Sequence, residues 1–465
     1  MFKRPGLGLL AAAAILSGCG GSQSPPGVPP GYSPTTFHGH KHTSTYIKHV
    51  VLLIQENRSF DDFFATFPGA DGTKTGMRGN KQVNLQEVGL RGTCDFAHSR
   101  GNYLADYDNQ KMDGFAGGAR GCKKGNPYQY VNPSEIAPYW DIAKEYVLAD
   151  HMFQTQGSGS FTAHQDLIRG LTTIDQSRTT SLVDFPTTSP WGCDAPPKTV
   201  TTLLVATSSG LKLEHGQGPY PCTSQFPGSG SYYATMRDLF DKRGMSWKYY
   251  TPAIEVGGKS SGNLWDAYDM IAKVRYGPEW QTKVISPETT IFKDISSGNL
   301  AHMSWLVPDG PNSDHPADKT DTGPSWVASV VNAIGESQYW NSTAIIVVWD
   351  DWGGFYDHVK PPIIDNWGGL GFRVPMLIIS PYARETSSSQ PGYISHTRYE
   401  FGSILRFVED NWGLGTLGTT DERAHSIVDS FDFSQQPRPF VSIPSSYSRT
   451  YFEHQPPSNE PVDTE

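Results

Sequence analysis

The residues with the clearest chemistry open at Glu56-Asn57-Arg58, directly after the apolar run Val50-Val51-Leu52-Leu53-Ile54 and Gln55. A carboxylate and an amide supply hard oxygen ligands for a divalent cation. A guanidinium suits an anion such as phosphate, and it can equally brace a loop through carboxylates. We expect bracing for Arg58. A second group, Asp350-Asp351-Trp352-Gly353-Gly354-Phe355-Tyr356-Asp357-His358, again follows an apolar run, at 344–349. Its paired glycines allow another backbone to approach closely. The third group is Gly157-Ser158-Gly159-Ser160-Phe161-Thr162-Ala163-His164-Gln165. A hydroxyl ahead of a helical stretch is a candidate nucleophile facing an anion, and equally an ordinary helix cap. His98 lies close after Asp95. His315 lies in a polar segment after the apolar run 303–307.

Elements must bring these groups together. Runs at 246–250, 303–307, 344–349 and 374–380 are continuously apolar, as expected of strands covered on both faces. Helical patterns fall between them at 138–150, 232–243, 325–337 and 398–411. Alternation of this kind implies an α/β fold with a mostly parallel central sheet flanked by helices. Parallel strands end on one edge, so the clusters after 54 and 349 can converge there. Segments 64–135 and 176–230 lack strong periodicity and are expected to decorate the sheet as long loop insertions.

The chain has 465 residues, a formal charge of −10 and 83 glycines and prolines together, which fits a loop-rich globular protein. A net negative chain gives no general nucleic-acid footprint, so an anionic substrate needs local positive charge, most simply a bound cation.

Lys3 and Arg4 precede an apolar stretch at 7–16, followed by Leu16-Ser17-Gly18-Cys19. The segment is similar to a bacterial lipobox. That similarity implies a signal peptide at 1–18, lipidation of Cys19 and a membrane-anchored protein in the cell envelope. Residues 19–45 are rich in Pro, Gly, Ser and Thr and are expected to form a tether, with His38, His40 and His42 solvated within it. A single folded domain then spans 46–465. Cys94, Cys122, Cys193 and Cys222 remain, an even number that suggests two disulfides in an exported chain. Three pairings are open. The sequence-local ones, Cys94–Cys122 and Cys193–Cys222, would staple Gly-rich stretches.

Glu56-Asn57-Arg58-Ser59-Phe60-Asp61 resembles the E-N-R-S-F-D signature of the bacterial phosphoesterase family of phospholipases C and acid phosphatases. Asp350 to Val359 resembles its D-D/E-x-G-G-x-x-D-H-V motif. Gly371-Phe372-Arg373-Val374-Pro375, with Ser380-Pro381, resembles its G-x-R-V-P-x-x-x-x-S-P motif. The resemblance implies an alkaline-phosphatase-like core and a divalent metal held by Glu56, Asn57, Asp350 and Asp351, its identity and count open. It also implies catalysis by Thr162, His98 and His315, with His358 orienting ligands from behind. Thr162 stands where the family often reads T-x-P-N-R, but Ala163-His164-Gln165 follow it here. Ser158 and Ser160 are therefore fallback nucleophiles. Arg373 is expected to be structural.

Physical chemistry points the same way. A hydroxyl needs a cation or a base to attack phosphorus at neutral pH, and a histidine can pass the proton to the leaving alcohol. The implied activity is hydrolysis of a phosphoric ester, with phospholipid cleaved in phospholipase C fashion. An acid-phosphatase-type phosphomonoesterase is the alternative. An inactive surface-binding lipoprotein is the alternative of another class.

Overall fold

The computed structural model describes Met1 and residues 43–115, 119–120, 125–256, 259–260, 264–387, 389 and 391–458. Cys19, Cys122, the expected signal peptide and most of the expected tether, with its histidines, lie outside the described residues.

A central sheet is built from β1 (His49–Gln55), β2 (Val147–Ala149), β3 (Trp247–Tyr250), β4 (Val284–Ile285), β5 (Met303–Leu306), β6 (Thr343–Trp349), β7 (Met376–Ile379) and β8 (Tyr393–Ser395). Their spatial order is β4-β3-β5-β1-β6-β7-β2-β8. Every neighbouring pair is parallel except those made by β7, which runs against both β6 and β2. The sheet is therefore mostly parallel, as expected, with one reversed strand. The reversal leaves β2 and β8 pointing the same way as β1 and β6, so their C-termini share an edge.

All seven residues of β6 are buried. Successive side chains point to opposite faces, so burial of every position requires cover on both sides. The flanking helices include α1 (Phe60–Phe64), α2 (Arg100–Tyr107), α3 (Ala137–Glu145), α4 (Ser160–Arg169), α5 (Met236–Arg243), α6 (Gly323–Gly335) and α7 (Phe401–Trp412). Helix α3 packs on α6, and α4 packs on α7. The Trp305 indole on β5 donates to the Leu167 carbonyl, which fixes α4 over the sheet.

Two expectations need correction. The helix expected at 138–150 ends at Glu145, and the rest of that run is β2. Burial on the sheet overrides helical periodicity there. The segments expected to be loops also carry structure. Strands Thr180–Val183, Thr201–Thr207 and Gly210–Gln217 form an antiparallel sheet of their own. Cys193 is joined to Cys222 in the same region, one of the sequence-local pairings. Cys94 is also disulfide-bonded. No helix among the described residues is long and apolar enough to cross a membrane.

Arg373 confirms its structural reading. Fully buried, it donates through Nε and Nη2 to Asp357 and through Nη1 to the carbonyls of Asp71 and Asp150. Asp61 lies 3.5 Å from the same guanidinium. Removing the cation leaves buried carboxylates uncompensated. Arg373→Met should cost about 3–5 kcal/mol, read as a fall in the urea midpoint. An unchanged midpoint would refute this role.

Candidate active site

Register brings the site together. In the β1–β6 pair Gln55 lies opposite Trp349, so Glu56 and Asp350 emerge from adjacent strand ends. Glu56, Asn57, Asp350 and Asp351 are all fully buried. Asn57 adopts a left-handed backbone, φ 58°, and its N–H donates to Asp350 Oδ1 at 2.9 Å. Asn tolerates this conformation better than most residues. Gly353 folds directly over it: a Cβ there would lie 2.3 Å from the Asn57 carbonyl oxygen. That contact explains why the second motif needs a glycine at this point.

Helix α4 approaches from the other side. Gly159 caps it, so Ser160 is its first residue. Ser160 Oγ donates within reach of Asn57 Oδ1, at 3.2 Å, and Asp351 Oδ2, at 3.3 Å. Thr162, the first choice from sequence, is buried on the same helix, but its Oγ1 meets Ser158 Oγ at 3.1 Å. Ser158 is in turn tied to Asp184. Among the described residues no hydrogen bond joins Thr162 to the carboxylates. The hydroxyl that the structure brings to the cluster is that of Ser160.

One turn further along α4, His164 Nε2 lies 2.9 Å from Glu56 Oε1 and 4.0 Å from Asp350 Oδ2. The sequence presented His164 only as a departure from a motif. Its signal was spacing: residues 160 and 164 share one helix face. Burial pushes the His164 pKa down to about 4, so the ring is neutral at neutral pH. Burial, and then the Asp350 charge, raise Glu56 well above the usual carboxylate range. The same two causes raise Asp351. Among the described residues, Glu56 Oε2, Asp350 Oδ2 and His164 Nδ1 have no hydrogen-bond partner. Glu56, His164 and Asp350 each offer one ligand atom, all within 4.8 Å of one another. Buried carboxylates with bare oxygens beside a neutral imidazole fit a divalent cation, which would satisfy the orphaned lone pairs and offset the repulsion.

The two expected histidines also converge here. Asn57 Nδ2 donates to His315 Nε2 at 2.8 Å and to His98 Nε2 at 3.2 Å. His98 Nδ1 lies 2.7 Å from the Phe96 carbonyl, which can only accept. This network assigns the proton to Nδ1 and the lone pair to Nε2. His98 Nε2 is also 3.8 Å from Asp351 Oδ2. Buried Trp265 sits beside both His315 and His164, with ring centroids 5.9 and 6.4 Å away.

Two residues of the motifs do not join the cluster. Arg58 donates to the Asp314 carbonyl, Asp62 and Thr93, so it braces the loop. His358, expected to orient ligands, instead meets Asp61 and Asp71 beside Arg373. The reason is direction. The chain turns at Gly353-Gly354 and carries His358 away from Asp350 and Asp351.

Residues 47–415 match the model of the Phosphoesterase family. Phospholipase C A of Mycobacterium tuberculosis is 27% identical over 86% of this chain and 80% of its own length. Non-hemolytic phospholipase C of Pseudomonas aeruginosa is 23% identical over 86% of this chain and 59% of its own. Among solved structures, a protein in the alkaline phosphatase superfamily from Vibrio parahaemolyticus aligns over 83% of this chain and 72% of that one. Its TM-score is 0.36 at 10% identity, a likeness too loose to argue from.

The crowding of carboxylates gives a test. Without metal, Glu56→Gln should not destabilise the protein, because burial and Asp350 already disfavour the Glu56 charge. The variant should also lose most of the stabilisation that a cation gives, about 2.7 kcal/mol at a hundredfold excess over Kd. Thermal melting with chelator and with added metal measures both. A variant destabilised in chelator and fully rescued by metal would contradict the reading.

Proposed function

The chain belongs to the Phosphoesterase family, and from that premise we propose that it is an exported, metal-dependent hydrolase that cleaves phospholipid in phospholipase C fashion through a Ser160 nucleophile. The observation that carries this reading is the Ser160 hydroxyl, held within 3.3 Å of both Asn57 and Asp351 beside the orphaned oxygens of Glu56 and Asp350. The relatives' names support the choice of ester, and the Cys193–Cys222 disulfide fits an oxidising compartment.

Glu56, Asp350 and His164 would hold the cation, with Asn57 and Asp351 beside them. When bound, it supplies positive charge that favours the serine alkoxide and offsets charge on a phosphoryl oxygen. The protein's own groups do the rest. Asp351 Oδ2 accepts the hydroxyl proton as Ser160 Oγ attacks phosphorus. Ser160 places the N-terminal end of α4 at the cluster, an end where negative charge is favoured. The phosphorus–oxygen bond to the alcohol breaks in line, and the leaving oxygen needs a proton. His98 or His315 supplies it from Nε2 once that nitrogen carries a proton and turns from the Asn57 N–H to the leaving oxygen. The ring recovers a proton from the water that later cleaves the phosphoserine ester, as Asp351 returns its own to Ser160 Oγ. Before it takes the Ser160 proton, the Asp351 carboxylate, 3.8 Å from His98 Nε2, favours the imidazolium form of His98. Asn57 holds both rings at one spacing through a single amide.

The reading is tested with metal-loaded wild type, Ser160→Ala and Thr162→Ala on phosphatidylcholine, a phosphocholine diester and a chromogenic phosphomonoester. Ser160→Ala should lose about 10³-fold or more in kcat on the preferred ester, while Thr162→Ala stays within about tenfold of wild type. Full activity in Ser160→Ala would remove it as nucleophile. Turnover of the monoester alone would replace phospholipase with phosphatase activity, and no turnover of any ester would favour a binding protein. His98→Gln should cost about 10²–10⁴-fold with an alkyl alcohol leaving group and much less with nitrophenol, which leaves without a proton. Equal losses on both would exclude a leaving-group acid.

A further inference from the structure

A second group of ligating side chains lies on the same sheet edge. Strands β2 and β8 are parallel neighbours in which Ala149 lies opposite Ser395. The next residue on each, Asp150 and His396, therefore emerges beside the other, and Asp150 N–H donates to the Ser395 carbonyl. His151 follows Asp150 in sequence. Asp150 is fully buried, while the His151 and His396 side chains are 25% and 61% exposed, so the group is open to solvent from one side.

We propose that Asp150, His151 and His396 form a second divalent-cation site, distinct from the Glu56–Asp350 pocket, with zinc-like ligand preference. The three groups are already joined by hydrogen bonds, Asp150 Oδ1 with His151 Nδ1 at 2.7 Å and Asp150 Oδ2 with His396 Nδ1 at 2.7 Å, and a cation would take the place of the shared protons. The three residues offer ligand atoms within 4.8 Å of one another. Two imidazole nitrogens and one carboxylate favour zinc and similar ions over magnesium or calcium. His151 also carries the partner that a ligating imidazole needs. Its Nε2 lies 3.3 Å from Asp71 Oδ2, so a carboxylate receives the Nε2 proton when Nδ1 turns its lone pair to a cation.

Local charge strengthens the case. His151 connects Asp150 to Asp71, His358 connects Asp71 to Asp61, Arg373 joins Asp61 to Asp357, and among the described residues Arg373 is the one Arg or Lys placed against them. With neutral imidazoles, four carboxylates face one guanidinium. Arg373 is committed to Asp357 and Asp61, and it meets Asp71 and Asp150 only at their carbonyls. The Asp150 end is therefore where an added cation gains most. Asp71 N–H also donates to Asp150 Oδ2, so an ion there would lock the loop after α1 onto the sheet edge.

Equilibrium dialysis of the full protein against zinc alone, with metal counted by mass spectrometry, tests the site. The Glu56→Gln background separates it from the first pocket. Glu56→Gln should retain one zinc that the triple variant Glu56→Gln/His151→Ala/His396→Ala lacks, and Asp71→Asn should raise its Kd about 10–100-fold. Equal stoichiometry in the two backgrounds would overturn the proposal, whatever becomes of the esterase reading. Should the triple variant fail to fold, Glu56→Gln/His396→Ala trims only an exposed ring. Loss of the zinc there supports the site, and its retention at unchanged Kd overturns it.

Discussion

Burial of three carboxylates without a neighbouring Lys or Arg is the constraint on which this structure turns. Glu56, Asp350 and Asp351 are sealed from solvent, and among the described residues no Lys or Arg pairs with them. Buried acids elsewhere in the fold fall into two groups among the described residues: Asp61, Asp62 and Asp357 have guanidinium partners, while burial pushes Asp106 and Glu288 up to about 8 without one. Arg58 serves Asp62, and Arg373 serves Asp357 and Asp61. Like charges at close range in a protein interior cost on the order of several kcal/mol. Glu56 Oε2 and Asp350 Oδ2, bare among the described residues and flanked by His164, are where a cation from outside fits.

The surrounding architecture serves that pocket. Adjacent parallel strands end in register, so two short motifs nearly 300 positions apart meet without any long connecting element. A left-handed Asn57 under Gly353 turns both chains back, and α4 closes the space with Ser160 at its first position. The antiparallel sheet of Thr180–Val183, Thr201–Thr207 and Gly210–Gln217 is hydrogen-bonded apart from the central sheet, in a part of the chain that can vary in what it presents to a substrate.

Much of this was legible in the sequence. Continuous apolar runs ending in polar residues pointed to the strands, their common edge and the meeting there of Glu56, Asn57, Asp350 and Asp351. His98 and His315 were legible as candidates, though not that one Asn57 amide holds both. Four things were hidden. The reversal of β7 leaves no periodic mark, because a buried strand reads the same in either direction. The choice between Ser160 and Thr162 depends on which residue begins α4, and helix starts are poorly fixed by sequence alone. His164 looked like a lost motif residue because its value lies in a one-turn offset from Ser160. Asp150, His151 and His396 were invisible for a different reason: the end of β2 was read as helix, so its pairing with β8 could not be foreseen.

The central claim is that Ser160 takes the phosphoryl group inside this carboxylate pocket. Its most direct test is rapid acid quenching of the metal-loaded enzyme during turnover, followed by proteolysis and mass spectrometry. The account predicts a phosphoryl or phosphocholine adduct, according to substrate, on the peptide of α4 at Ser160. An adduct on Thr162, or turnover with no covalent adduct under conditions that trap a phosphoserine, would contradict it.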